Sequence, residues 1–198
     1  VVMTQNLISE KQLRDPLIVS CQAGDREAFR LLFERYKDRV YSIALHYSGN
    51  TETAHDISQQ VFLKLFTAIK LYQWKAEFST WLYRLVVNCC FDEQRRWKRL
   101  LSFREAPEVN NFRSQENIEN SYNQNEISAT VRAAIFSLRP KLRMPLLLKY
   151  VEGLSYEEIA QILNCSKGTV ASRLNRGHRA LAQKLEPLRE FIVRNDGL

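Results

Sequence analysis

The sequence predicts an all-α protein: two small helical domains, one a helical bundle and one a helix-turn-helix, joined by a flexible acidic linker. Three observations predict it. Apolar residues recur at helical spacing over most of the chain, between residues that start and stop helices. One stretch, "EAPEVNNFRSQENIENSYNQNE" (105–126), loses that period; it is polar, Asn-rich and acidic, with Arg113 its only base. The last third holds a capping box, a tight break and a basic helix.

The elements follow in order. Asp15-Pro16 reads as an N-cap with proline at the first helical position, and Gly24 ends that short helix. Asp25 caps the next, whose stripe is Phe29, Leu32, Phe33, Tyr36, Val40, Ile43 and Tyr47, with Gly49 as its left-handed stop. Thr51 starts a third helix along Ile57, Val61, Phe62, Leu65 and Ile69. After the irregular "LYQWKAEF", Ser79 caps a fourth through Trp81, Leu82, Leu85, Val86 and Cys89. That helix ends in Arg95, Arg96, Lys98 and Arg99, more cations than a helix dipole needs.

Past the linker, a helix is expected near 127–138. Pro145 is awkward inside a helix, so the next is expected to begin there and run to Val151, with Gly153 as its stop. The division expected is 1–103, a linker over 104–125, and 126–198.

The stretch "SYEEIAQILNCSKGTVASRLNRGHRALAQKL" carries the clearest chemistry. Ser155 and Glu158 form a capping box; Ile159, Ala160, Ile162 and Leu163 give a buried face; "NCS" is a tight break and Ser166 an N-cap. At 100° per residue, Val170, Leu174, Gly177, Leu181 and Leu185 share one side of the second helix. Thr169, Ser172, Arg176 and Arg179 lie opposite, with Arg173 on the flank. Gly177 on the buried side costs about 1 kcal/mol of helix propensity, which points to close approach of another helix. A recognition helix reads bases mainly from its amino-terminal part, here Lys167, Thr169, Ser172 and Arg173. An arginine bidentate to guanine contributes about 1–3 kcal/mol of discrimination. A solvated basic face is the other reading of the arginines alone.

Composition narrows the partner. The chain has 198 residues, 45% hydrophobic and 11% aromatic, enough for two cores, and a net charge of +7. That charge favours a polyanion, nucleic acid before an anionic membrane. Apolar runs such as "LVVNCCF" fall far short of a span and no amino-terminal signal pattern is present, so a cytoplasmic protein without membrane insertion is expected. Cys21, Cys89, Cys90 and Cys165 form no C-x-x-C pair, and reduced buried thiols are expected. His46, His55 and His178 lie apart, with no metal-ligand cluster and no Gly-rich phosphate loop; catalytic residues, metal and cofactor are all expected to be none.

The carboxyl segment "LLLKYVEGLSYEEIAQILNCSKGTVASRLNRGHRAL" resembles region 4 of bacterial sigma factors of the extracytoplasmic-function (ECF) group. The segments "GDREAFRLLFERYKDRVYSIAL", "AHDISQQVFLKLF" and "FSTWLYRLVVNCCFDEQRR" resemble region 2 of the same group, in the right order and without region 3 between. The resemblance implies a factor that binds core RNA polymerase, recognises −10 and −35 promoter elements, promotes melting and starts transcription under an anti-sigma factor. It implies that helix 51–71 grips the clamp helices of the largest subunit through Asp56, Gln59, Gln60, Phe62 and Leu63, with the flap of the second largest subunit as a further contact. Loop 73–78 is implied to take a flipped −10 base on Trp74, with Lys75 and Phe78 beside it. Trp74 and Phe78 equally read as loop anchors. Helix 79–99 is implied to follow the non-template strand through Arg84, Asn88, Asp92, Arg95 and Arg96. Lys167, Thr169, Ser172, Arg173, Arg176 and Arg179 are the implied −35 contacts. The linker resembles family linkers that pass through the polymerase; a plain spacer is the alternative.

Departures are modest: His55 and Gln60 stand where acids are frequent, Gly177 where alanine is usual, and Arg139 in place of a proline. A free-standing helix-turn-helix regulator would show a dimer heptad or ligand pocket, and neither reads from the sequence. No obligate homo-oligomer is expected.

Overall fold

The structure, a computed structural model, describes residues 14–103 and 122–195, with side chains over 14–100 and 129–186. Its first helix, α1 (Pro16–Ala23), starts where the Asp15 carboxylate accepts from Leu17 N at 2.9 Å. Asp25 does the same for α2 (Arg26–Ser48), accepting from Glu27 N and Ala28 N at 2.8 and 3.2 Å. Gly24 (φ 92°) and Gly49 (φ 68°) stop these helices in the left-handed region, as the sequence predicts. Asn50 caps α3 (Thr51–Ala68), and Ile69–Leu71 tighten into a 3-10 turn that ends the predicted helix three residues early. The fourth, α4, spans Phe78–Phe103. It starts one residue before the expected Ser79 cap, with Trp81 N already bonded to Glu77 O at 3.1 Å.

Leu32, Val40 and Ile43 of α2, Ala54, Val61 and Leu65 of α3, and Leu82, Val86 and Cys90 of α4 have no solvent exposure. Each large aliphatic side chain buried this way contributes about 1.5–3 kcal/mol. The predicted stripes thus form one bundle core, except that Phe33 of the α2 stripe is 37% exposed.

The second group comprises α5 (Tyr122–Phe136), α6 (Pro140–Tyr150), α7 (Tyr156–Ile162) and α8 (Lys167–Asn195). Two boundaries correct the sequence reading. The first is α5, which begins at Tyr122 rather than near 127 and so takes in the last residues of the expected linker; 104–121 lie outside the described residues. The second is α6, which begins at Pro140, a good first helical residue, and carries Pro145 inside it. Pro145 leaves the Lys141 carbonyl without its helical amide donor, and Lys141 is exposed, where water can serve it. Met144, Leu148, Ile159, Val170 and Leu174 centre this second core. A Cβ on Gly177 would stand 2.8 Å from Leu146 Cδ1 and 3.6 Å from Leu142 O, the close approach of α8 to α6 that its place on the apolar side predicts.

The two groups pack together. Arg143 of α6, only 5% exposed, donates from Nη1 to Tyr47 O at the end of α2 (2.5 Å) and from Nη2 to Leu138 O (3.3 Å). Its guanidinium lies 4.8 Å from the Tyr47 ring centre and 4.6 Å from that of Phe136. A carbonyl at a helix carboxyl end has no intrahelical donor, so a cation there serves both hydrogen bonding and the dipole. Among the described residues no helix is long and apolar enough to cross a membrane.

Candidate nucleic-acid interface

The helix-turn-helix forms as its local signals dictate. Ser155 Oγ accepts from Glu158 N at 3.2 Å while the Glu158 carboxylate accepts from Ser155 N at 2.8 Å, a complete capping box. Asn164 turns the chain at φ 47°, a conformation that asparagine tolerates. Ser166 Oγ then accepts from Thr169 N at 3.2 Å and starts α8. Ser172, Arg176 and Arg179 are exposed on one face, Lys167 is exposed at the start of the helix, and Thr169 and Arg173 are half-buried beside that face. Thr169 Oγ1 lies 2.9 Å from Ser166 Oγ, so its hydroxyl belongs partly to the cap. Arg173 reaches back toward Cys165 Sγ at 3.8 Å, Arg176 bonds Ser172 O and Oγ at 3.3 and 3.1 Å, and Lys167 pairs with Glu157. The partners of Lys167, Arg173 and Arg176 lie within ten residues along the chain, and exposed pairs of this kind are weak enough for a phosphate to displace.

The first group carries a second polar strip. Arg84, Asn88, Asp92, Arg95 and Arg96 recur at helical spacing along α4. Asn88, Asp92, Arg95 and Arg96 are exposed. Arg96 sits 3.6 Å from Glu93. Asp92 accepts from Lys64 Nζ at 3.1 Å and from Arg95. Partial burial pushes the Asp92 carboxyl up, but the bonds from Arg95 and Lys64 together outweigh it and hold it below its ordinary value. Arg84 is half-buried: its Nε donates to Gln161 O of α7 at 2.9 Å, beside a bond from Tyr83 Oη to Glu152 Oε2, also 2.9 Å. The second group therefore covers one end of the strip.

At the head of α4 the loop separates two aromatic roles. Phe78 is 5% exposed and packs with Tyr36, Tyr72 and Trp81 at ring separations of 5.6, 5.4 and 5.7 Å. Its ring is a core anchor, which corrects its place among the surface contacts. Trp74 is half-buried and Lys75 exposed, both in the loop proper.

The outer side of α3 offers Asp56, Gln59, Gln60 and Leu63, all exposed, while Phe62 is 9% exposed and is mostly core. Beside them runs an apolar groove with two ring pairs, Phe29–Phe66 at 4.9 Å and Phe33–Phe62 at 4.6 Å. Leu63 and Phe66 are 55% and 57% exposed there.

Two family models match the chain: Sigma-70 region 2 over residues 32–100, and Sigma-70, region 4 over residues 128–181. The ECF RNA polymerase sigma-E factor of Escherichia coli K12 is 36% identical over 189 residues, covering 90% of this chain and 97% of the relative. The chain belongs to the ECF sigma factors. The ECF RNA polymerase sigma factor SigW of Bacillus subtilis is 32% identical over 179 residues, covering 86% and 96%. Among solved structures, the sigma factor RpoE of Bartonella quintana, in complex with the anti-sigma factor NepR, shares the fold at a TM-score of 0.66 and 20% identity, covering 80% of this chain and 96% of that one. CnrH, in complex with the cytosolic domain of CnrY, does so at 0.64 and 22%, covering 86% and 96%.

In this sigma factor the region 2 match holds the groove apart from Phe29, the loop and the α4 strip, and the region 4 match holds the helix-turn-helix. It is a transcription-initiation factor of two helical units. Reading the sequence alone overlooked Phe66 and Phe29 as groove residues. A signal existed for Phe66: a large apolar side chain off the buried stripe of α3. Arg143 gave none, since nothing local distinguishes it from a surface cation.

Proposed function

We propose that this chain binds core RNA polymerase through the outer side of α3, reads a −35 element with the exposed face of α8, and holds a melted −10 element against the 73–78 loop and the α4 strip. One observation carries the reading: Ser172, Arg176 and Arg179 stand exposed together on one face of a capped reading helix that opens on the exposed Lys167, with a second polar strip on α4. Two weak DNA-binding surfaces fixed on one large partner gain affinity through effective concentration. Melting needs no bond chemistry from this chain, because binding an extruded base offsets its unstacking. The chain is accordingly not an enzyme, works in the bacterial cytoplasm, and is held in check by an anti-sigma factor; one similar fold, that of RpoE with NepR, was solved in such a complex.

The test is transcription in vitro with core polymerase on a library of genomic fragments, with start sites mapped. Parent protein should give discrete starts sharing an upstream motif. Arg173→Ala and Arg176→Ala should each lower upstream-element binding, by about 1–3 kcal/mol for a base contact. For a phosphate contact, each should cut the salt dependence by about one unit of slope. No specific starts from the parent, or unchanged footprints in the double variant, would refute the reading.

A further inference from the structure

We propose that Gln22 is a positioning residue for the −10 loop, acting through the Trp74 indole; this rests on the loop reading above. Gln22 stands on α1, ahead of the region 2 match at 32–100, and reaches across to the loop. Its Nε2 donates to Ile69 O at 3.0 Å and to Tyr72 O at 2.8 Å, and its Oε1 accepts from Trp74 Nε1 at 3.3 Å. Both amide hydrogens and the carbonyl are engaged, so one side chain ties the entrance of the loop and its aromatic residue to a separate helix.

Trp74 needs such a tie. Its φ of 60° places a bulky side chain in the left-handed region, a conformation that persists only where the surroundings enforce it. Among the described residues the ring is held by Gln22 at the indole edge, the Tyr72 ring at 4.9 Å, and the Arg14 guanidinium 5.5 Å over the ring. Tyr72 is itself fixed, with its hydroxyl on Ala76 O at 2.7 Å and its carbonyl on Gln22. An aromatic platform stacks a base only when its plane is held, and here the bond at the indole N–H sets that plane. Gln22 touches no base in this arrangement; it orients the group that does.

The test is a double-substitution cycle in full-length protein bound to core polymerase, on a promoter chosen by the parent holoenzyme. Gln22→Leu removes all three bonds, Gln22→Met does so with a closer shape, and Trp74→Phe removes the indole N–H with the five-membered ring while keeping an aromatic face. Opening is read by permanganate reactivity of unpaired thymines and duplex binding by footprinting. Gln22→Leu should slow opening about tenfold with duplex binding little changed, the effect of losing a hydrogen bond of ordinary strength. Trp74→Phe should slow it less, and the double variant should be no slower than Gln22→Leu alone. Additive effects, or equal losses in opening and duplex binding, would overturn the proposal. So would loss of the helical circular dichroism signal in both Gln22 variants, which would make the residue structural. Normal opening by Trp74→Ala would instead overturn the loop reading itself.

Discussion

Arg143→Met probes the contact between the two helical groups. The arginine is 5% exposed, makes hydrogen bonds of 2.5 and 3.3 Å to Tyr47 O and Leu138 O, and lies against two rings. Bonds from a charged donor contribute about 1.5–3 kcal/mol each, and each ring contact about 0.5–2 kcal/mol. Against them stands the cost of removing a guanidinium from water, several kcal/mol, and Nε finds no partner. Methionine keeps much of the volume and removes the charge together with its cost. The net loss is then about 3 kcal/mol, within the range for breaking a buried polar network. For a chain of this length that corresponds to a fall of about 6–12 °C in thermal midpoint. Amide exchange should rise in the segment of α4 around Tyr83 and Arg84, whose partners Glu152 and Gln161 sit on the second group. Arg143→Lys should recover only part of the loss, since an ammonium lacks the planar fork. A midpoint within about 2 °C of the parent, with unchanged exchange in α4, would refute the reasoning, because about 2–4 °C is expected per kcal/mol at this size.

Gly177→Ala gains about 1 kcal/mol of helix propensity but sets a Cβ 2.8 Å from Leu146 Cδ1 and 3.3 Å from its Cγ, so Leu146 must turn within a packed core. A net destabilisation of about 1 kcal/mol in chemical denaturation is expected, and Leu146→Ala in the same chain should remove the clash. Ser155→Ala should cost about 1 kcal/mol at neutral pH, the usual value of an N-cap. The Ser155 hydroxyl and backbone amide hold the Glu158 carboxyl below its ordinary value of 4.5, so the carboxylate's share of the cap is present above that pH and lost as pH falls through the lowered value, while the bond from Glu158 N to Ser155 Oγ does not titrate. The gap in stability between parent and variant should therefore narrow in acid without closing and be widest at neutral pH.

Much of this was legible because the signals are local. Asp15, Asp25, Ser155 and Ser166 bond amides two or three residues away, and Gly24 and Gly49 end helices by their own backbone freedom. The recognition helix was legible for the same reason: its buried and exposed sides follow from periodicity, and Val170, Leu174 and Gly177 are buried as that predicts. Pro145 misled because proline is judged by what it forbids, whereas a single missing amide is tolerated in a well-started helix when the carbonyl it would serve belongs to an exposed residue, here Lys141. Phe33 misled in the opposite sense, since helical spacing says which side a residue takes but not whether a second helix covers it.

What was not legible depends on pairings between distant segments. Gln22 meets residues 47, 50 and 52 positions along the chain, Arg84 meets Gln161 across 77, and Arg143 meets Tyr47 across 96. No period or capping rule reports such pairs, because each needs two surfaces already folded. The loop shows the consequence most directly. From sequence, Trp74 and Phe78 were equivalent aromatics, each readable as a stacking platform or as an anchor. Phe78 is 5% exposed because it opens α4 and its ring falls inward among Tyr36, Tyr72 and Trp81. Trp74, four residues earlier and outside the helix, is held by its edge and by a backbone conformation that Gln22 and Arg14 support. The roles divide because one ring lies on a helix that has a core to face and the other does not, a distinction made by the fold and not by residue type.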